Sequence, residues 1–185
     1  MNDLVERAAG LAAFHLDTAD LANRWAHVQG VAAQAFRLRA AVPDDDQDLL
    51  IAAAWLHDIG YAPALVKTGM HAIDGAIFLD QEGFLPRLVA LVAHHTGARF
   101  EAAERGLIRE LDAFDREEGP VPDALTTADL TVGPTGQPLD VSARIEEILV
   151  RYPHGTAVHR AISRARSSLI VQTEQTHMRL GHHAE

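Results

Sequence analysis

The sequence contains no cysteine and no long uninterrupted run of apolar residues. Without cysteine, the chain forms no disulfide and offers no thiolate to a metal ion. No segment reaches the roughly 18 consecutive apolar residues that a membrane-spanning helix needs, so we expect no contact with a membrane and a cytoplasmic location. The N-terminal segment has acidic residues early and a histidine within its apolar part. This pattern predicts an amphipathic helix rather than a signal peptide.

Basic residues are also scarce, since 16 Lys and Arg stand against 26 Asp and Glu and give a formal net charge of −10. Nucleic-acid polymers are bound mainly through clustered cations, so this balance argues against such a polymer as the main partner. A local cationic pocket or a metal could still hold a small phosphorylated molecule. Nearly all of the positive charge is arginine, because Lys67 is the only lysine. Together with the abundant alanine, this hints at a bacterial genome rich in G and C.

Helical periodicity, in contrast, is present along nearly the whole chain. Apolar residues recur at spacings of three and four, and no stretch alternates as a half-buried strand does. We find no internal repeat and no low-complexity tract. The prediction is therefore an all-α fold, a single-domain helical bundle of about seven to eight helices over residues 1–185. The predicted helices lie near residues 3–15, 20–41, 46–59, 71–82, 85–98, 121–131, 140–152 and 155–178.

The last predicted helices differ from the others, because residues 140–178 place no ligand-type side chain on an apolar stripe. We expect them to cover the bundle, and a homodimer formed through their outer surface stays open. The loops near residues 60–70 and 96–122 are expected to shape a substrate pocket. Gly60 directly follows a predicted helix, which favours a role as its C-terminal cap.

Four predicted helices each bring histidine or aspartate to an apolar face. These residues are His27, the pair His57 and Asp58, the pair His94 and His95, and Asp129. An ionised carboxylate in an apolar interior costs several kcal/mol unless it is paired or binds a metal, and no cation is close in sequence to Asp58 or Asp129. Imidazole and carboxylate together suit divalent Fe, Mn, Zn, Ni or Co. The pattern therefore predicts a metal site.

Each of these residues also has an ordinary structural interpretation. A single core histidine such as His27 is usually a satisfied structural residue. Asp129 alone could hydrogen-bond within its helix turn through Thr126 or Thr127, and the pair at the end of the 85–98 helix could be half solvated. Four such explanations would have to hold independently in four helices. The metal site is therefore the preferred prediction.

The ordered set His27, His57-Asp58 and Asp129, with the segment "HDIG", resembles the HD-domain superfamily of metal-dependent phosphohydrolases. The signature of that superfamily, H…HD…D, lies on an all-helical bundle. The resemblance covers a core of about residues 20–130. It implies that these four residues hold one divalent ion and that Asp58 acts in catalysis.

The resemblance also gives a role to the histidines that lie between the HD pair and the last aspartate. In two-metal branches of the superfamily, similar positions supply a second ion. Asp58 would then bridge the two ions, with His71 and His94, and His95 as a further ligand, on the second. If His95 is not a ligand, it could donate a proton to the leaving group. One or two divalent ions are therefore implied.

Two departures from the superfamily pattern narrow the expected activity. Tyr61 stands where many members have a lysine after "HDIG", so a lysine-based role is not expected there. The text "HHTGARFEA" lacks the GYP signature of the branch that hydrolyses cyclic di-GMP, so that reaction is not expected either. The implied activity is hydrolysis of a phosphoester, in a nucleotide or small phosphorylated metabolite, by metal-activated water.

Arginine and lysine near the ligands are candidates for binding the phosphate. Arg24 lies one helical turn before His27 and is expected to act in substrate binding and catalysis. Lys67 and Arg99 are further candidates, and each of the three could instead be a solvated surface charge. Asp74 could hold the ring of His71 from behind or stand as an acid in the first turn of a helix.

Two other functional classes stay open. Some superfamily members hold a di-iron centre that activates oxygen with the same order of ligands, and others could keep the fold as a non-catalytic sensing or interaction module. The remaining side chains of interest are expected to be structural. Trp25 and Trp55 should pack in the core, and the other histidines should lie on the surface, namely His15, His154, His159, His177, His182 and His183.

Overall fold

Ten α-helices make up most of residues 3–182, which are the residues that the computed structural model describes. The fold is all-α, as predicted, and within the described range the only β pairing is an isolated bridge between Val132 and Pro138. The helices are α1 Asp3–Leu16, α2 Ala22–Leu38, α3 Gln47–Leu56, α4 His71–Gln81, α5 Pro86–Ala93, α6 Ala98–Arg105, α7 Ile108–Leu111, α8 Pro120–Leu130, α9 Val141–Arg151 and α10 Ala157–His182.

The central helix is α3, and α1, α2, α5 and α8 all pack against it. Its sequence "QDLLIAAAWL" is apolar on every side after the first turn, so the helix has no face suited to water. Residues 49–54 and Leu56 are accordingly buried. Small alanines in this run let the surrounding helices come close, which brings their ends toward the end of α3.

The C-terminal helices cover one side of the bundle, where α10 packs against α6, α8 and α9. Two polar contacts between buried or half-buried side chains join α10 to α8. Thr127 Oγ1 lies 3.0 Å from Thr176 Oγ1, and Arg179 Nη1 lies 2.8 Å from Asp123 Oδ2. None of the helices within the described residues is both long and apolar enough to span a membrane.

Two helices were missed in the sequence, and both lie in the segment predicted as a loop. The helix α6 is polar, and only Ala98 and Ala102 on it are buried, so it shows no apolar stripe. The helix α7 has four residues, too few for periodicity to be seen. The predicted helix 85–98 also ends earlier, at Ala93, because the chain turns at residues 94–97.

Most of the side chains that were expected to be structural behave as such. Trp25 and Trp55 pack against the main core with ring centroids 5.8 Å apart. His154 and His177 are exposed, whereas His15 and His159 are half-buried, so the expected surface position is wrong for these two. The ring of His15 packs edge-on against Phe78 at 4.9 Å because it is directed inward from the last turn of α1. The side chain of His182 and all of His183 lie outside the described residues.

Candidate metal centre

Ligand-type side chains meet where the C-terminal ends of three helices converge. At the end of α3 come His57 and Asp58, just past the end of α5 comes His95, and the last turn of α8 carries Asp129. The first residue of α4, His71, and His27 on α2 complete the cluster. A helix C-terminus carries partial negative charge, so three such ends favour a cation at their meeting point.

The cluster divides into two groups of three residues. The first group is His27, His57 and Asp129, and the second group is Asp58, His71 and His95. Within each group, one ligand atom from every residue lies within 4.8 Å of the others. Ligand atoms that share an ion at bond lengths near 2 Å are about 3 to 4 Å apart, so both groups are compact enough to hold one.

Asp58 lies between the two groups and presents a different oxygen to each. Its Oδ2 is 3.3 Å from His57 Nε2 and 3.8 Å from His27 Nε2. Its Oδ1 is 3.4 Å from His71 Nε2 and 3.9 Å from His95 Nε2. This is the arrangement in which one carboxylate can bridge two ions.

Backbone carbonyls select the tautomer of three of the four histidines. The Nδ1 atoms of His57, His95 and His27 lie 2.8 Å from Ala54 O, 2.6 Å from Val92 O and 3.1 Å from Gly133 O. A carbonyl oxygen only accepts, so each Nδ1 carries the hydrogen, and a neutral ring then has its lone pair on Nε2, toward the cluster. Such a bond behind the ring is the usual support of a metal-binding histidine.

One buried atom in the first group lacks a hydrogen-bond partner, and it tests whether an ion fits. His57 Nε2 is inaccessible to solvent and makes no hydrogen bond within the described residues. Buried polar atoms are rarely left in this state. A divalent ion bound by Nε2 would satisfy it, so the residues present suit a transition metal with imidazole and carboxylate ligands.

Charges in the cluster also favour a cation. Burial alone would raise the pKa of Asp58, but Arg24 and His57 hold it well below its usual value. Burial would likewise raise the pKa of Asp129, but contact with His27 at 3.0 Å and the charge of His57 lower it. Both carboxylates are therefore held in the ionised form, and Asp58 Oδ2 contacts the Arg24 guanidinium. Two buried carboxylates among imidazole nitrogens favour a bound cation.

The two groups differ in how their histidines titrate. Burial lowers the pKa of His57, but the neighbouring Asp58 carboxylate overcomes this effect and raises it. Burial lowers the pKa of His71 to about 3, and burial together with the charge of His57 lowers that of His95. The pKa of the His57 imidazole is therefore raised in the first group, whereas the pKa values of both imidazoles in the second group are lowered.

Gly60 brings the second group to the first by allowing two backbones to touch. It lies in the 3₁₀ turn Ile59–Tyr61, and a Cβ on it would stand 2.0 Å from His71 O and 2.6 Å from Gly75 N. The expected role of Gly60 as a C-terminal cap is therefore wrong, since α3 ends at Leu56 with His57 as its cap and the φ of Gly60 is not positive. The turn instead presses on the start of α4 and sets the distance between Asp58 and His71.

The loop after α8 supports the first group from the opposite side. Gly133 supplies the carbonyl that accepts from His27, and Gly136 packs against α2 with a φ of +81°. A Cβ on Gly136 would lie 2.7 Å from Ala26 O. The sequence "GPTGQP" is thus a close-fitting cover over the helix that carries His27.

The structure does not bring three of the predicted site residues into the cluster. His94 points away, with Nε2 2.8 Å from the carbonyl oxygen of Phe114, so the prediction that it joins the second group is not supported by the geometry. His95 takes that place. Lys67 donates to Gln81 on the surface, and Arg99 is half exposed and donates to Asp112.

His94 and Arg99 line a separate cavity of about 830 Å³ between α6, α8 and α10. None of the six cluster residues lines this cavity. The turn that separates it from the cluster contains Thr96, whose φ is +34°. Adjacent histidines therefore face different surroundings.

Two contacts at the site were not foreseen in the sequence. Asp74 does not hold His71 but accepts from Thr68 N at 2.7 Å, Thr68 Oγ1 at 2.7 Å and Gly69 N at 3.1 Å, and so it fixes the preceding loop. Tyr61 contacts His71 instead, with the two rings stacked at 4.2 Å and inclined by 19°. The only sequence signal was an aromatic residue directly after "HDIG".

The fold and the site define a helical protein with a buried histidine and aspartate centre suited to divalent metal. The model of the HD domain family matches residues 24–132, more than half of the chain, and the protein belongs to this family. The superfamily is of the metal-dependent phosphohydrolase type, and most of its members are hydrolases. No curated protein and no solved structure shows significant similarity to the chain.

Proposed function

We propose that this protein is a metal-dependent phosphohydrolase that cleaves a phosphoester of a nucleotide or a small phosphorylated metabolite. One observation supports the proposal most directly: Asp58 Oδ2 lies near the Nε2 atoms of the first group, and Asp58 Oδ1 lies near the Nε2 atoms of the second group. A structural carboxylate would need only one such partner. Two ions bridged by a carboxylate are typical of sites that displace a group at phosphorus.

The first group would hold one ion through His27, His57 and Asp129, and the second group would hold another through His71 and His95, with Asp58 between them. When bound, such ions lower the pKa of coordinated water toward neutrality and neutralise charge on phosphoryl oxygens. His95 would act as a ligand rather than a proton donor, because the hydrogen on Nδ1 is bonded to the Val92 carbonyl and Nε2 presents its lone pair to the cluster.

Arg24 is the cation that the geometry supports best as a phosphate ligand. Its guanidinium reaches Asp58, and its side chain is 19% exposed, so it borders both the cluster and solvent. From this position the guanidinium would reach a phosphoryl oxygen of a substrate bound at the cluster. Lys67 and Arg99 stay weaker candidates, since both are occupied on the surface. A homodimer through the C-terminal helices stays a prediction.

Metal content and hydrolysis in the Asp58→Ala variant test the proposal. We expect close to two transition-metal equivalents in the wild type, none in the variant, and hydrolysis of bis(p-nitrophenyl) phosphate or of a panel of nucleotides only in the wild type. Asp45→Ala is the matched control, because Asp45 is an exposed aspartate on a 3₁₀ turn. It should keep both properties.

The outcomes separate the remaining classes. If Asp58→Ala keeps its metal and its hydrolysis, the proposal is wrong. Bound iron with oxygen uptake on an organic substrate, and no hydrolysis, would identify the di-iron oxygenase class, which uses the same residues. A wild type that takes up no zinc, manganese or iron would be a non-catalytic member of the family.

A further inference from the structure

The ring of Tyr61 lies between two groups that reach the same carboxylate. On one side the imidazole of His71 stacks on it at 4.2 Å, and the Arg24 guanidinium carbon lies 3.9 Å from its centroid. Two planar groups at these distances do not fit over one face of a phenol ring, so they take opposite faces. The order of the stack is therefore His71, Tyr61, Arg24.

The two outer members of the stack end on Asp58. His71 Nε2 lies 3.4 Å from Asp58 Oδ1 and 3.2 Å from His95 Nε2. The Arg24 guanidinium contacts Asp58 Oδ2. A displacement of the ring would thus move a ligand of the second group and the adjacent cation together.

His71 needs the stacked ring because it lacks the hydrogen bond to a backbone carbonyl that the other three histidines of the cluster make. His27, His57 and His95 each donate Nδ1–H to a backbone carbonyl. Within residues 3–182, no carbonyl accepts from the His71 ring. The His95 ring meets this imidazole edge-on at 5.1 Å, and the stacked phenol is the contact that covers its face.

We propose that Tyr61 is a positioning residue for the second ion, acting through the face of its ring to hold His71 toward Asp58, with Arg24 pressing from the other face. The inference rests on the proposed metal centre. It makes a specific claim about chemistry, namely that the aromatic ring is required and the hydroxyl group is not. Loss of a group that orients a metal ligand commonly weakens metal binding about 10- to 100-fold.

The experiment is a titration of the metal-free protein, residues 1–185, with Co²⁺, followed by calorimetry and by the visible absorption of the bound ion. We compare the wild type with Tyr61→Phe and Tyr61→Ala. The phenylalanine variant should bind both ions as the wild type does. The alanine variant should bind the first ion normally and the second about 10- to 100-fold more weakly.

The control is Phe36→Ala, which also removes an aromatic ring from under an arginine. Phe36 is exposed and has the Arg39 guanidinium carbon 3.9 Å from its centroid, away from the cluster. Both affinities should be unchanged in this variant. Should Tyr61→Ala fail to fold by circular dichroism, Tyr61→Leu provides an apolar side chain without a stacking face, and the same weakening of the second ion is expected.

The inference and the proposed function fail in different ways. If the wild type binds two ions and the alanine and leucine variants bind both with wild-type affinity, the inference is wrong and the phosphohydrolase stands. The same holds if Tyr61→Phe weakens the second ion as much as Tyr61→Ala does, or if the wild type binds a single ion. If the wild type binds no ion, both are wrong.

Discussion

The two ligand groups each contain two histidines and an aspartate, yet they are held in different ways. In the first group, both imidazoles are buried, and each donates Nδ1–H to a backbone carbonyl. In the second, His95 has such a bond, but His71 depends on stacking and its side chain is 17% exposed. The bond of His57 forms within its own turn, and that of His27 needs the loop after α8 to be in place. Because both imidazoles of the first group have a hydrogen bond behind the ring and one imidazole of the second group does not, the first group is the better preorganised.

The largest effect on this contrast should come from Gly60→Ala. The added Cβ would meet His71 O at 2.0 Å, and because the obstacle is backbone, no side-chain rotation relieves it. We expect a loss of about 3 kcal/mol or more in the free energy of unfolding, together with loss of the second ion and retention of the first. Urea denaturation and metal stoichiometry measure these two quantities.

Gly10→Ala is the control for that variant, since Gly10 lies on α1 with nothing within 4 Å of the added atom. It should be stabilised by about 0.5 to 1 kcal/mol, because alanine is the better helix former. Equal unfolding midpoints for Gly60→Ala and the wild type would show that the approach of the two backbones does not matter.

Gly136→Ala should disturb the first group instead. Its φ of +81° costs a residue with a side chain about 1 to 2 kcal/mol, and the added Cβ would meet Ala26 O at 2.7 Å. Movement of the loop would withdraw the Gly133 carbonyl from His27, so the first ion should be weakened about tenfold and the second kept. Isothermal titration with Co²⁺ resolves the two.

Gly83→Ala is the control that separates backbone strain at a positive φ from a steric clash of the added Cβ. Gly83 has a φ of +71° but open space around the added atom. It should lower stability through strain alone and leave both metal affinities unchanged. If Gly136→Ala weakens both ions equally, the two groups do not have separate supports.

Chelation should remove the two ions in order. Because His71 is the one partly exposed imidazole of the cluster, we expect EDTA to release the second ion at about tenfold lower concentration than the first. In His71→Ala, the early step should be absent and the late step unchanged. Release in a single step from the wild type would contradict the difference in preorganisation.

The smallest effect should be the pH dependence of stability in the metal-free protein, because the raised pKa of His57 opposes the lowered pKa values of His71 and His95. The raised pKa of His57 gives stability that is complete below pH 6.5 and is lost as pH rises through the folded value. The pKa of about 3 for His71 gives stability that is present above pH 6.5 and is lost as pH falls toward 3. NMR titration of the imidazoles distinguishes them, and equal pKa values would contradict the contrast.

The sequence predicted most of the fold because burial is periodic on a helix. Each of the eight apolar stripes predicted one helix. The polar helix α6 was not predicted, because it buries only two alanines and so has no apolar stripe. The site was predicted by residue type, since costly polar groups ended apolar runs. Its geometry was not. Whether His94 or His95 faces the cluster depends on the carbonyl of Phe114, which lies 20 residues further along the chain.

The role of Gly60 was also beyond what the local sequence could predict. A glycine after a helix is most often a cap, and local sequence supports that interpretation. Its actual role depends on the position of α4, which begins with His71 and is placed by tertiary packing. Contacts of this kind leave no pattern in the neighbouring residues.

The turn at Thr96 has a consequence for how the chain tolerates change. Among the described residues, Thr96 is the only non-glycine residue with a positive φ, and the turn directs His94 to the cavity and His95 to the cluster. Residue 94 therefore has to fit the wall of the cavity, whereas residue 95 has to present a lone pair to the cluster. In a library covering every codon, position 94 should accept more side chains than position 95, because only the contact with the Phe114 carbonyl restricts it.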